Sequence, residues 1–254
     1  IIAYSSNIGT VRMAFAAGGA QAEREFFARL GFDQAVPLEL PDRTPPLVPR
    51  RWPDIVAATV AFGHGIAVSP LQFTNAVASL VGHGHLLRPT LLRRDRPPEL
   101  GPRLISMRTV ADLRWLMWLT VEEGTGIRAR LDRYLIGGKT GTADKPGTTR
   151  RGYRSGAVVA SFVGAFPINR PRYVVLVTLD EPKGDQSTFG LRYGGWTAAP
   201  VVRRIIDRSG PLLGVPPADP QLLASLRAWL LAEKGLNGHH GRWEEAFAAL
   251  EVGR

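Results

Sequence analysis

The chain has 254 residues, 44% hydrophobic and 21% charged, an ordinary balance for a folded protein and enough to bury a sizeable core. It contains no cysteine, which excludes disulfides and thiolate metal sites. Net charge is +10, with lysine only at 139, 145, 183 and 234. The arginines form only short clusters such as Arg50-Arg51, Arg93-Arg94 and Arg203-Arg204, so the surplus reads as a solvated basic surface rather than a nucleic-acid footprint.

Ser5-Ser6-Asn7-Ile8-Gly9 suits the start of a helix running through Val11, Met13 and Phe15 to Gly18-Gly19. The spacing predicts a second helix over 21–30, with Phe26, Phe27 and Leu30 on its buried side and a stop at Gly31. Proline-rich 37–53 reads as an irregular surface connection. Asp54 is expected to cap the next apolar segment, 55–62, which ends at Gly63-His64-Gly65. Ser69-Pro70 pairs a capping hydroxyl with a first-turn proline. The helix predicted over 71–81 carries Leu71, Thr74, Val77, Ala78 and Val81 at helical spacing and stops at Gly82. Residues 86–92 read as a strand or extended segment and 94–104 as a loop. Ser106 is placed to cap a further helix with Val110, Leu113, Met117 and Val121 as its stripe. Trp115 and Trp118 beside that stripe read as core or edge aromatics, not as a stacking platform. The helix ends in Glu122-Glu123-Gly124-Thr125-Gly126.

The apolar run Tyr134-Leu135-Ile136 then delivers Gly137-Gly138-Lys139-Thr140-Gly141-Thr142-Ala143. Alternation along a strand over 134–143 places Lys139 and Gly141 on one face and Thr140 and Thr142 on the other. The paired glycines lack Cβ atoms, so another backbone or a ligand is expected to approach them closely. A basic loop, 145–155, precedes a hairpin of strands 156–166 and 172–180, giving three sequential antiparallel strands. Tyr193-Gly194-Gly195-Trp196 leads into an amphipathic helix over 198–208, and proline breaks the chain over 211–220. Residues 221–234 and 242–250 read as two more helical segments. Helices first, strands next and helix last argue for an α+β fold with helices laid against an antiparallel sheet.

Attack on an amide or ester needs a nucleophile, a base, a proton path and an oxyanion site. His64, His83 and His85 all adjoin glycines and read as turn or surface residues, so no Ser-His-Asp set emerges. His83-x-His85 has no third ligand nearby, and His239-His240 reads as exposed loop; no metal and no cofactor are expected. A Lys-Thr-Gly strand beside a Ser-x-Asn turn is one of the few signatures for acyl transfer without histidine. The chain has both, in Ser5-x-Asn7 and Lys139-Thr140-Gly141. Alone, the first is a plain helix cap and the second a weak tripeptide; the pair, with helices between and strands after, tips the balance towards chemistry.

Longer matches extend this pattern: Arg51-Trp52, Ala58-Thr59, the run from Phe62 to Gln72, Gly124-Thr125-Gly126, the run from Ala160 to Gly164, Asp180-Glu181-Pro182, and Tyr193-Gly194-Gly195 with Ala198-Ala199-Pro200. On these residues the chain resembles the C-terminal part of the transpeptidase domain of penicillin-binding proteins, most closely the class B, cell-division type. The resemblance covers residues 1–217, leaving 218–254 as a helical C-terminal extension. It implies the penicillin-binding, β-lactamase-like α+β fold and a peptidoglycan D,D-transpeptidase that β-lactams inhibit. In that chemistry a Ser-x-x-Lys serine is acylated by the D-Ala-D-Ala end of a stem peptide and passes the acyl group to an amine. By the same resemblance Ser5 would relay a proton to the leaving D-alanine. Asn7 would hold the substrate amide and the Ser-x-x-Lys lysine. Lys139 would hydrogen-bond Ser5 and attract the terminal carboxylate. Thr140 and Thr142, flanking Gly141, would contact that carboxylate or an extended stem, with the Thr142 N–H as half of an oxyanion hole.

One departure stands out: no serine of this chain is followed three residues later by lysine. No signal peptide is visible, no apolar run reaches the roughly 20 residues of a membrane span, and the first residue is Ile1. The nucleophile, two of the family's five strands and a membrane anchor are therefore expected upstream of Ile1, leaving this piece inactive alone and its apolar surface exposed. The full-length protein is expected at the periplasmic face of the bacterial inner membrane, working with a membrane-embedded glycan polymerase and division proteins and not with nucleic acid. A D,D-carboxypeptidase or serine β-lactamase relative, and a non-catalytic basic module for an anionic polymer, are the alternatives.

Overall fold

The computed structural model describes residues 1–97, 99–147 and 152–233. The chain divides into two compact units, Ile1–Val110 and Ala111–Arg254, each with its own apolar cluster. Expectations for 242–250 and for His239-His240 fall outside the described residues.

The first unit contains α1 (Asn7–Ala16), α2 (Gly19–Arg29), α3 (Asp54–Val60) and α4 (Pro70–Val81). Its cluster centres on Leu30, Phe32, Ala76 and Leu104, with Phe26 and Phe27 packed against it. Beyond α2 and Leu30, Gly31 takes the left-handed conformation, φ +79°, the exit that glycine makes cheap. Asp54 does not cap α3. The cap position falls on Pro53 and the Asp54 carboxylate lies in the first turn, where it faces the positive end of the helix. α1 buries none of its residues, and Ile8, Met13 and Phe15 are exposed.

Ser69 starts α4 through a capping box: its hydroxyl accepts from the Gln72 N–H while its own N–H donates to the Gln72 side chain, both at 3.2 Å. The buried face of α4 differs from the apolar stripe: it consists of Gln72, Ala76, Ser79 and Val81, while Leu71 is exposed. Hydrogen bonding is the reason. Gln72 Nε2 donates to the Gly31 and Gln34 carbonyls at 3.2 and 2.7 Å. The Ser79 hydroxyl donates to the Asn75 carbonyl at 2.8 Å and accepts from the Leu87 N–H at 2.9 Å. Fully paired polar groups of this kind can replace apolar ones in a core. Residues 86–92 form no strand; next to an isolated bridge between His85 and Arg103, Leu86 exchanges hydrogen bonds with Pro102 and Gly101, both at 3.0 Å.

α5 (Met107–Glu122) starts in the last residues of the first unit, with the Ser106 hydroxyl accepting from the Thr109 N–H at 3.1 Å. Trp118 is fully buried and its ring centroid lies 5.1 Å from that of Trp115, so both are packing aromatics. A 3₁₀ turn, Ile127–Ala129, separates α5 from the sheet. β1 (Gly137–Pro146), β2 (Tyr153–Phe166) and β3 (Tyr173–Asp180) form an antiparallel sheet in the order β1-β2-β3. Residues 134–136 are buried but precede the strand. The expected loop 145–155 is partly strand: pairing continues to Pro146 opposite Tyr153, and Gly147 N–H donates to Gly152 O at 2.8 Å. Lys145 bridges Asp180 and Glu181 at 2.9 and 2.7 Å, which ties this end of β1 to the end of β3.

α6 (Gly194–Leu212) lies on the sheet, burying Ala198, Ala199, Val202 and Ile206 in one cluster with Phe162 and Phe166. It starts earlier and ends later than 198–208, running through Pro200 and Pro211. In its extra turn Gly210 meets the Tyr134 ring so closely that a side chain there would collide. α7 (Pro220–Glu233) follows, with Leu223 and Leu226 buried.

Replacing Gln72 with leucine removes two part-buried hydrogen bonds to the Gly31 and Gln34 carbonyls and should lower stability by about 1–2 kcal/mol. Urea denaturation of Gln72→Leu against the parent would check this; an unchanged midpoint would remove the polar anchor from the account.

Candidate active site

Ser5 and Asn7 lie in the first unit, and Lys139, Thr140, Gly141 and Thr142 in the second. In the first, Ser6 is the helix cap: its hydroxyl accepts from the Gly9 N–H at 3.2 Å. The capping duty that would explain Ser5-x-Asn7 as plain structure is therefore performed by the residue between them. Ser5 itself has φ +53°, a left-handed conformation uncommon for a residue other than glycine. Ser5 and Asn7 are both exposed, on either side of the cap.

In the second unit, register sorts the motif as alternation predicts. Lys139 lies opposite Val163, Thr140 opposite Phe162, Gly141 opposite Ser161 and Thr142 opposite Ala160. Among the described residues β1 has β2 as its one strand neighbour, so its other edge is unpaired by strand. The paired glycines meet the expectation of close approach only in part. A Cβ at Gly138 would collide with the Phe162 ring, and one at Gly137 with the Ile168 side chain. That space is filled mainly by core side chains, with the Val163 carbonyl as the one close backbone approach, at Gly138. Gly141 differs: a Cβ there would meet only Ser161 Cβ, at an ordinary 3.8 Å.

Lys139 is half-buried, and its Nζ donates to the Thr140 carbonyl at 2.9 Å and reaches Thr140 Oγ1 at 3.4 Å. Burial disfavours its charged form and lowers its pKa to about 8. An ammonium in such a place loses solvation and gains correspondingly from an incoming anion.

The hydroxyls are oriented by partners that sequence reasoning had not placed in the site. Thr140 Oγ1 lies 2.9 Å from Thr125 Oγ1, a residue on the turn after α5. Thr142 Oγ1 accepts from the Gly194 N–H, the first residue of α6, at 3.1 Å. Accepting this bond leaves the Thr142 proton to donate elsewhere. Gly194 and Gly195 supply the close backbone approach expected of Gly137-Gly138: side chains there would collide with the Ser161 and Thr125 carbonyls. Their pairing next to Tyr193 was the available signal, read only as the entry to a helix. Beside this turn, the Arg128 guanidinium stacks 3.9 Å over the Trp196 ring. Among the described residues no group of three or more His, Asp or Glu side chains is placed to hold a metal ion.

These features define an α+β protein whose candidate site follows the unpaired edge of an antiparallel sheet. The chain belongs to the family described as the penicillin binding protein transpeptidase domain, whose profile matches residues 1–207. It is 39% identical over 225 residues to a probable peptidoglycan D,D-transpeptidase FtsI of Caulobacter vibrioides, covering 85% of this chain and 38% of that protein. It is 34% identical over 230 residues to a probable peptidoglycan D,D-transpeptidase PenA of Neisseria gonorrhoeae, covering 89% and 38%. The ligand-free transpeptidase domain of Burkholderia pseudomallei penicillin-binding protein 3 superposes with a TM-score of 0.75 at 33% identity, covering 85% of this chain and 64% of that one. The chain thus spans well under half the length of these two curated relatives.

With its pKa near 8 in the folded chain and 10.5 when solvated, Lys139 binds fewer protons folded than unfolded between those values. Its contribution to stability therefore rises with pH across that window, by up to about 1.4 kcal/mol per unit. Thermal midpoints from pH 7.5 to 10.5 should rise more, or fall less, in the parent than in Lys139→Met. Parallel curves would show that the ammonium is not desolvated.

Proposed function

We propose that this chain supplies the substrate-recognition and proton-relay groups of a serine-type peptidoglycan D,D-transpeptidase of the class B, septal type. The observation that carries the reading is Lys139, half-buried on an unpaired strand edge that also carries the oriented hydroxyls of Thr140 and Thr142, in one chain with Ser5-x-Asn7. The names of the relatives from Caulobacter and Neisseria support the same reaction class.

The substrate is a stem peptide ending in D-Ala-D-Ala, and β-lactams occupy the same site. An extended peptide can add along a sheet edge such as that of β1. Lys139 supplies the positive charge for the terminal carboxylate. Thr140 and Thr142 donate to it or to the stem, and the missing side chain of Gly141 leaves room for the ligand backbone. The Thr142 N–H is one donor to the oxyanion, a type of contact worth about 3 kcal/mol of transition-state stabilisation. Ser5 carries the proton towards the leaving D-alanine, and Asn7 holds the scissile amide.

The attacking serine belongs to a Ser-x-x-Lys segment that is not among these 254 residues. The exposed apolar side chains of α1 are a surface against which such a segment would pack. The assembled protein works at the periplasmic face of the inner membrane with a glycan polymerase and division proteins. Among the described residues no helix is long and apolar enough to cross a membrane. Residues 218–254 are read as an extension beyond the catalytic domain.

A fluorescent penicillin tests the assignment. The 254-residue chain alone should take no covalent label, whereas the chain joined to a Ser-x-x-Lys segment, native or from the Caulobacter relative, should. A label on the chain alone, or none on the joined protein, would refute it. Slow release of that label separates a transpeptidase from a β-lactamase, which would turn it over rapidly.

Gly141→Ala tests the recognition strand separately. Its folded surroundings accept a Cβ, so stability should move by less than about 0.5 kcal/mol. Acylation of the joined protein by the penicillin should nevertheless fall by about tenfold or more, since one misplaced contact at a reacting centre is costly. Unchanged acylation would place the ligand away from this edge.

A further inference from the structure

Glu122 ends α5 with only 4% of its side chain exposed, a poor position for a carboxylate because it adds negative charge to the negative end of a helix. Two arginines neutralise it. Arg130 Nε lies 3.2 Å from Oε2. Arg227, on α7 and beyond the residues matched by the family profile, grips both oxygens, with Nε 2.9 Å from Oε2 and Nη2 3.2 Å from Oε1. Its remaining donors reach Asp132 Oδ1 at 2.9 Å and the Leu131 carbonyl at 3.1 Å. A buried charge held this way destabilises its surroundings when one partner is removed.

What the pair encloses gives it significance. Glu122 and Arg130 bracket residues 123–129, and within that span the Gly124 and Gly126 N–H groups both donate to the Thr120 carbonyl, at 3.1 and 3.0 Å. Thr125 sits between those glycines. Its hydroxyl is the partner of Thr140, and its carbonyl lies against Gly195. A chain of direct contacts therefore runs from α7 through Glu122 and the 123–129 turn to the hydroxyl beside Lys139.

We propose that Arg227 is a positioning residue: by holding the Glu122 carboxylate it fixes the 123–129 turn and so keeps Thr125 and Thr140 in place on the recognition strand. The 218–233 segment, although outside the family match, is then a brace for the site. The functional meaning rests on the reading of β1 as that strand. The test below measures the chain itself, not acylation, so the two ideas fail separately.

The probe is amide hydrogen exchange in the full 254-residue chain, comparing 123–130 and 139–143 with the central strand segment 160–166. Arg227→Met should fold, because Leu223 and Leu226 still bury α7. Exchange in 123–130 and 139–143 should accelerate by about tenfold or more, while 160–166 changes by less than about twofold. Arg227→Lys should recover part of the protection. The double variant Glu122→Gln with Arg227→Met removes the stranded charge but restores no grip, so exchange in 139–143 should stay about fivefold or more faster than in the parent. Three results would overturn the proposal: equal acceleration in all three segments, no acceleration in 139–143, or a double variant back within about twofold of the parent, which would mean that a stranded charge and not a lost brace caused the effect. If Arg227→Met does not fold, Glu122→Gln alone decides. It weakens the grip from the other side and should accelerate exchange in 139–143 by about threefold or more while 160–166 holds, and unchanged exchange in 139–143 would overturn the proposal.

Discussion

Keeping the Lys139 ammonium half out of water on an unpaired strand edge is energetically unfavourable, and much of the second unit is arranged so that it happens. The strand must be rigid, because a flexible edge would let the lysine swing into solvent and recover its hydration. Rigidity comes from beneath: Gly137 and Gly138 admit the Ile168 and Phe162 side chains where their own Cβ atoms would be. Phe162 in turn belongs to the cluster shared with Ala198, Ala199 and Val202 of α6. At the far end the Lys145 bridges to Asp180 and Glu181 join β1 to β3. These are exposed and individually weak, so they guide the end of the strand more than they stabilise the fold.

Two elements then press on β1, one through glycines and one through a side-chain hydroxyl. α6 brings Gly194 and Gly195, so that its first N–H reaches Thr142 and its backbone meets the Thr125 carbonyl. The turn after α5 brings Thr125 to Thr140. Each threonine hydroxyl is thus oriented by a partner within the fold, before any ligand arrives. Preorganised donors of this kind are effective because they need not be reoriented at the moment of reaction.

How far this was legible in the sequence depends on whether an element follows a local rule or a tertiary one. Ser69-Pro70, Ser106, Gly31 and the alternation of Lys139 with Thr140 are local, and the structure agrees with each. Gln72 and Ser79 were missed because a buried polar face leaves no apolar period to count; its logic lies in the Gly31, Gln34 and Leu87 backbone groups far along the chain. Asp54 was misplaced by one position because Pro53 already supplies the extended entry to α3. Gly137-Gly138 was correctly read as a place of close approach, but what approaches is set by packing from β2 and beyond. Thr125 and Gly194 lay inside quoted motifs, yet their service to Thr140 and Thr142 depends on contacts across 15 and 52 positions.

One residue of the candidate chemistry shows a pattern that periodicity cannot reveal: its neighbours carry the structural duty that a glycine usually serves. In the first unit the left-handed Ser5 closes the turn in which its own N–H donates to the Ile2 carbonyl at 3.2 Å and the Ser6 N–H to the Ile1 carbonyl at 3.1 Å, so local structure accounts for its conformation. In the second unit Gly137 and Gly138 satisfy the core, and the missing side chain at Gly141 is not explained by packing. Glycine weakens a strand interior, and a cost that the fold does not require points to something outside the fold. That subtraction singles out Gly141 without appeal to any motif, beside the half-buried Lys139.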